Sequence, residues 1–280
     1  MKKAQWITAG IAILVLIGLY AATQNKLFGP TPLKKGAVPT ATHAEFPTDS
    51  VLFYAKKNLT PEQVTKLNFL EHSVSRGDVK DQQLHIYHQL AKFWADTAHI
   101  FEPYAWYTAQ AARLENSEKS LTFAAHLFLN NLKEQASPQI RQWEAAQAKE
   151  LFERSLSLNP ENDSSKVGLG AVILFGGGMP MEGIGKIREV VTKDSTNVYA
   201  QMTLAEASLM SGQLDKALER FSKVVELQPD NLEAIFRAAE TAEQMGKNKE
   251  AVGWYKKLLP HISNAAMKKE VEARIAKLDK

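Results

Sequence analysis

The chain has 280 residues, 45% of them hydrophobic, enough to bury a sizeable core in one or two domains. Its 34 basic and 31 acidic residues leave a net charge of +3, too balanced for the basic footprint of a nucleic-acid binder. Cysteine is absent, which excludes disulfides, thiolate metal sites, a cysteine nucleophile and a cysteine-linked lipid anchor.

The first predicted element is an uncharged stretch from Trp6 to Thr23, preceded by Met1-Lys2-Lys3. At about 1.5 Å per residue, a helix of this length reaches the lower limit for crossing a hydrocarbon core, with Trp6 and Tyr20 near its ends. A cleaved signal peptide is the alternative, but cleavage after Ala22 would put Tyr20 where a small residue is needed. Residues 1–23 are therefore expected to be a signal anchor, an N-terminal transmembrane helix. Lys2 and Lys3 favour a cytoplasmic N-terminus and a periplasmic body at the inner (cytoplasmic) membrane, crossed in a single pass. Lys26, Lys34 and Lys35 pull the other way and keep the reversed topology as a rival. Residues 24–59 hold Pro30, Pro32, Pro39 and Pro47 and are expected to form an extended linker.

Helical patterns follow at about 60–76, 79–97, 103–115, 118–135 and 138–158, the first announced by Thr60-Pro61-Glu62 as cap, first-turn proline and first-turn acid. Residues 60–162 are expected to hold about two degenerate helix hairpins, over 79–115 and 118–160. His85 and His88, with Glu71, His72 and His99 nearby in sequence, match no zinc pattern. A metal or enzymatic site hidden in 60–160 is the alternative reading of that region. Phe93, Trp94, Phe101, Tyr104, Trp106 and Tyr107 recur at helical spacing, as core aromatics do.

From residue 163 a 34-residue period governs the chain. Gly178, Gly212 and Gly246 recur at that spacing, each followed by a small residue (Gly183, Ala217, Ala251), then Ile187, Phe221 or Tyr255, then Val190, Val224 or Leu258. The last three classes lie at i, i+4, i+7, one face of a helix. An earlier copy, offset by 35, supplies Ala148, Phe152 and Ser155. The glycine is expected to end the first helix of each unit with a positive φ, and the small residue lets two antiparallel helices approach closely. Turn sequences at Pro160–Asn162, Ser195–Asn197 and Pro229–Asn231 separate the units. A single hairpin cannot bury its own apolar face, so neighbours must stack. Gly176-Gly177-Gly178 fall where a turn is needed, with no Lys-Ser/Thr after them and no strand before, so they do not read as a phosphate loop.

These residues resemble the tetratricopeptide repeat. Residues 198–231 carry its pattern at Leu204-Ala205, Gly212, Ala217, Phe221 and Pro229, and 232–264 repeat it at Ala238-Ala239, Gly246, Ala251 and Tyr255 until Pro260 arrives early. The resemblance implies an all-α fold, a right-handed superhelical solenoid with units at 163–197, 198–231 and 232–264, and a capping helix at 265–280. The body also resembles single-pass, membrane-anchored repeat proteins of Bacteroidota with no defined activity.

In that family the concave surface is lined by the first helix of each hairpin. The matching positions here are Val167, Ala171, Leu174 and Phe175, then Tyr199, Met202, Glu206, Leu209 and Met210, then Phe236, Glu240, Glu243 and Gln244. These lack the Lys, Arg and Asn that grip a terminal carboxylate. They fit a protein segment with apolar anchors and some positive charge, bound by a non-enzymatic scaffold or adaptor without cofactor or metal.

Overall fold

The computed structural model describes residues 46–74 and 79–280. The expected transmembrane helix and the first 22 residues of the expected linker lie outside them. Among the described residues there are thirteen α-helices and no strand, and no helix is long and apolar enough to cross a membrane.

The linker ends sooner than its composition suggests. Just after Pro47 the chain forms α1 (Thr48–Lys56), which buries Val51 and Ala55. The Trp143 indole, 95 residues away in sequence, donates to Thr48 Oγ1 at 3.0 Å. Nine residues are too few to be helical without tertiary support. The elements α2 (Pro61–Val74), α3 (Lys80–Lys92) and α4 (Phe101–Glu115) follow, α3 running into a wide π-helical turn over Phe93–Ala98 that His99 closes in the left-handed conformation. Next come α5 (Glu118–Leu132) and α6 (Pro138–Leu158).

The periodic region contains α7 (Asp163–Phe175), α8 (Pro180–Lys193), α9 (Val198–Met210), α10 (Leu214–Leu227), α11 (Leu232–Gln244) and α12 (Asn248–Leu258). Each hairpin opens on asparagine: Asn162, Asn197 and Asn231 accept from the amides three residues on, at 2.8, 2.9 and 3.0 Å. That cap satisfies one of the amides a helix start leaves unpaired. Pro260 gives a short 3₁₀ turn, Leu259–His261, and Asn264 caps the last helix, α13 (Ala265–Leu278).

The strongest packing pairs α3 with α4, α5 with α6, α7 with α8, α9 with α10 and α11 with α12. Successive hairpins then pack in chain order, as α6 on α7 and α10 on α11. The periodic positions are core: Ile187, Phe221 and Tyr255 are fully buried, as are Ala217 and Ala251. A Cβ on Gly183 would stand 2.5 Å from the Gly170 carbonyl oxygen, so α7 and α8 touch at a point only glycine allows.

The positive φ falls on Gly177, Gly212 and Gly246, not on Gly178. The N-cap asparagines show why, being 35 and then 34 residues apart: the first unit has one extra residue between Gly177 and Gly183. In all three turns the next amide reaches back five residues, Gly178 to Ile173, Gln213 to Ser208 and Lys247 to Ala242, at 2.8 to 3.0 Å. This is the 6→1 bond of a glycine-terminated helix. Gly178 keeps a different constraint, since a Cβ there would stand 2.8 Å from the Ile173 carbonyl oxygen.

Candidate functional site

Of the first helices of the hairpins, α7, α9 and α11 carry the positions expected to face a partner. Over α7 that face is already covered by the protein itself. From α5, the His126 ring meets Tyr199 of α9 edge-on at 5.5 Å, and its Nε2 lies 2.9 Å from Ser164 Oγ. Two helical turns beyond, at the C-cap of α5, the Lys133 ammonium pairs with Glu206 of α9 at 2.7 Å and sits 4.9 Å from the Phe175 ring. Helices α5 and α9 thus close over α7. Val167, Ala171 and Leu174 are buried beneath them and line the core rather than an open groove. Tyr199 and Phe175 remain partly exposed but are engaged in these contacts.

Charge on the expected groove is engaged as well. Glu206 holds Lys133, and Glu240 pairs with Arg237 on its own helix at 3.4 Å. Glu243 accepts the Tyr255 hydroxyl at 2.9 Å and pairs with Arg274 of α13 at 2.8 Å, so it ties the capping helix to the last repeat. Burial and the Glu243 carboxylate push the Tyr255 phenol well above its ordinary range. Of the remaining positions, Met210 is 63% exposed, Gln244 is exposed, and Met202, Leu209 and Phe236 are partly exposed.

The open part of this face is at its C-terminal end. A cavity of about 490 Å³ lies between α11 and α13, lined by Leu232, Glu233, Phe236, Leu258, His261, Ile262, Ser263, Asn264 and Met267. Of these, Phe236 is the one expected in the groove, and Leu258 belongs to the periodic apolar stripe. His261, Ile262, Ser263, Asn264 and Met267 lie outside the repeat pattern, because the early Pro260 turn and the cap form that side of the wall. Met267 is 56% exposed and Leu232 is also open, both unusual for large apolar side chains beside a cavity. Glu233 is an exposed carboxylate on the rim.

The degenerate region holds two polar features. Thr122, Ser155 and Ser165 form a triangle of hydroxyls 2.8 to 2.9 Å apart, joining α5, α6 and α7, with the Asn162 amide donating to Thr122. Glu144, fully buried on α6, accepts from Asn131 Nδ2 at 2.6 Å through one oxygen, while the other has no partner among the described residues. Burial, opposed by that hydrogen bond, pushes its carboxyl up to about 7. The Ser164–His126 pair has the reach of a nucleophile and base. However, His126 is wedged between Phe152 and Tyr199, and among the described residues no carboxylate orients its second nitrogen. Desolvation lowers its pKa and so favours the neutral ring. Glu71 accepts from Lys56 and Tyr107, and His85 lies against Gln89. Among the described residues no three His, Asp or Glu side chains converge to hold a metal.

Residues 208–274 match the sequence model of the tetratricopeptide repeat. No curated protein matches the chain in sequence. Among solved structures, a tetratricopeptide repeat protein from Parabacteroides merdae is 14% identical with a TM-score of 0.51, covering 83% of this chain and 92% of its own. MamA from Desulfovibrio magneticus is 21% identical with a TM-score of 0.45, covering 66% and 95%. YrrB, described as having an unusual peptide-binding site, is 16% identical with a TM-score of 0.41, covering 73% and 97%. The likeness to the Parabacteroides protein shows the fold, and the match to the tetratricopeptide-repeat model is confined to residues 208–274.

Proposed function

We propose that this tetratricopeptide-repeat chain is a membrane-tethered scaffold of the bacterial cell envelope that holds an apolar segment of another protein at the C-terminal end of its repeat face. The observation that carries the reading is the cavity between α11 and α13, with Leu232, Phe236, Leu258, Ile262 and Met267 around it. Large apolar side chains left open beside a cavity of this size suit one bulky anchor of a helix or extended peptide. The expected positive charge of the partner rests on Glu233 at the rim, because Glu206, Glu240 and Glu243 already have cations of their own. Tethering rests on the uncharged run Trp6–Thr23 behind Lys2 and Lys3, which favours a body on the periplasmic side of the inner membrane.

A photo-crosslinking residue at Leu232 of the full chain, in its native host, should capture a discrete partner. The captured segment should then bind M267E at least about tenfold more weakly, a loss of about 1.4 kcal/mol. Equal affinity for M267E and the natural chain would remove the cavity from the reading. A periplasm-dependent reporter fused after Lys280 should be active, and activity of a cytoplasm-dependent reporter instead would reverse the topology.

A further inference from the structure

We infer that α1 rests on an anionic lipid surface through Phe53, Tyr54 and Lys57. Helix α1 is apolar on both sides. Its inner side buries Val51 and Ala55, whereas Phe53 and Tyr54 are 57% and 59% exposed and meet edge to face with ring centroids 5.7 Å apart. The Lys57 ammonium lies 4.6 Å from the Phe53 ring and 4.9 Å from the Tyr54 ring. Open aromatic rings beside a lysine are suited to the bilayer interface, where rings enter the headgroup layer and the ammonium stays with the phosphates.

Charge selects the lipid. The first 44 residues contain five lysines and neither Asp nor Glu, and Lys26, Lys34 and Lys35 lie between the apolar run and α1. Cations so placed favour anionic headgroups. Asp49 is the one acid on α1 and lies in its first turn, where it complements the helix dipole. The inference rests on the membrane-tether reading. Twenty-four residues separate Thr23 from Thr48, so α1 lies at most about 80 Å along the chain from the membrane, whatever path they take. A tethered contact is intramolecular and needs little affinity of its own.

The natural chain has no cysteine, so one introduced residue carries a single label. Full-length N58C and K249C, each carrying an environment-sensitive fluorophore at an exposed position, are reconstituted into vesicles of phosphatidylcholine alone or with phosphatidylglycerol. Emission from position 58 should shift to the blue with phosphatidylglycerol and not without it, while emission from position 249 stays unchanged. Adding K57E, or F53S together with Y54S, should abolish the shift. A chain that floats with the phosphatidylglycerol vesicles while position 58 reads water overturns the inference and leaves tethering intact. A chain that does not float overturns both. An equal shift in pure phosphatidylcholine overturns anionic recognition.

Discussion

Replacing Glu144 by glutamine should stabilise the body at alkaline pH and leave it nearly unchanged at acid pH. The carboxyl is fully buried, one oxygen accepts from Asn131 and the other has no partner among the described residues, and burial pushes its pKa from the ordinary 4.5 up to about 7. Below 4.5 the group is protonated in the folded and unfolded chains alike, and its stabilising proton is fully in place. As pH rises from 4.5 to 7 the unfolded chain gives up that proton first, so stability falls, and above 7 the whole penalty is present. Two and a half units at about 1.36 kcal/mol each amount to about 3 kcal/mol. Glutamine keeps an acceptor for Asn131 and carries no charge. In a body of this size, thermal unfolding at pH 8 should occur on the order of 5–10 °C higher for E144Q, with the two melts nearly coincident at pH 4.5. A difference of equal size at both pH values would refute the reasoning, as would a lower melting temperature for E144Q at pH 8.

F221A, which empties a fully buried position between α9, α10 and α11, should cost about 3–5 kcal/mol in urea unfolding. G185A and G253A should each stabilise by about 0.5–1 kcal/mol, because both glycines sit within helices and a Cβ meets nothing within 4 Å, whereas G212A should destabilise by about 1 kcal/mol through its φ of 71°. R274A removes the pair with Glu243 that ties α13 to α11, so amide exchange in α13 should accelerate while that in α9 and α10 stays unchanged. Equal acceleration throughout would mean that the body unfolds as one unit.

Much of the fold was legible in the sequence because a repeat states its packing many times over. Gly183, Ala217 and Ala251, and the larger Ile187, Phe221 and Tyr255, recur at one spacing on one helix face, so a local pattern reports them and all are buried. The hidden insertion in the first unit escaped because the spacing of the glycines alone matches Gly178 to Gly212, while the hydrogen bonds match Gly177. Helix α1 escaped for a different reason: its nine residues follow a proline-dense stretch and are helical by virtue of Trp143 and the core beneath it.

The sequence by itself determined that helices pair at a 34-residue period and that the stripe through Ile187, Phe221 and Tyr255 faces inward, since both follow from helix geometry and residue size over short spans. Only the tertiary structure decided which part of the shared face is open. Lys133 reaches Glu206 across 73 residues and His126 reaches Tyr199, sealing the face over α7, while the turn at Pro260 and the cap leave a cavity beside α11. Those contacts depend on how far successive hairpins lean toward one another, a quantity summed over many packed side chains and written in no single one of them.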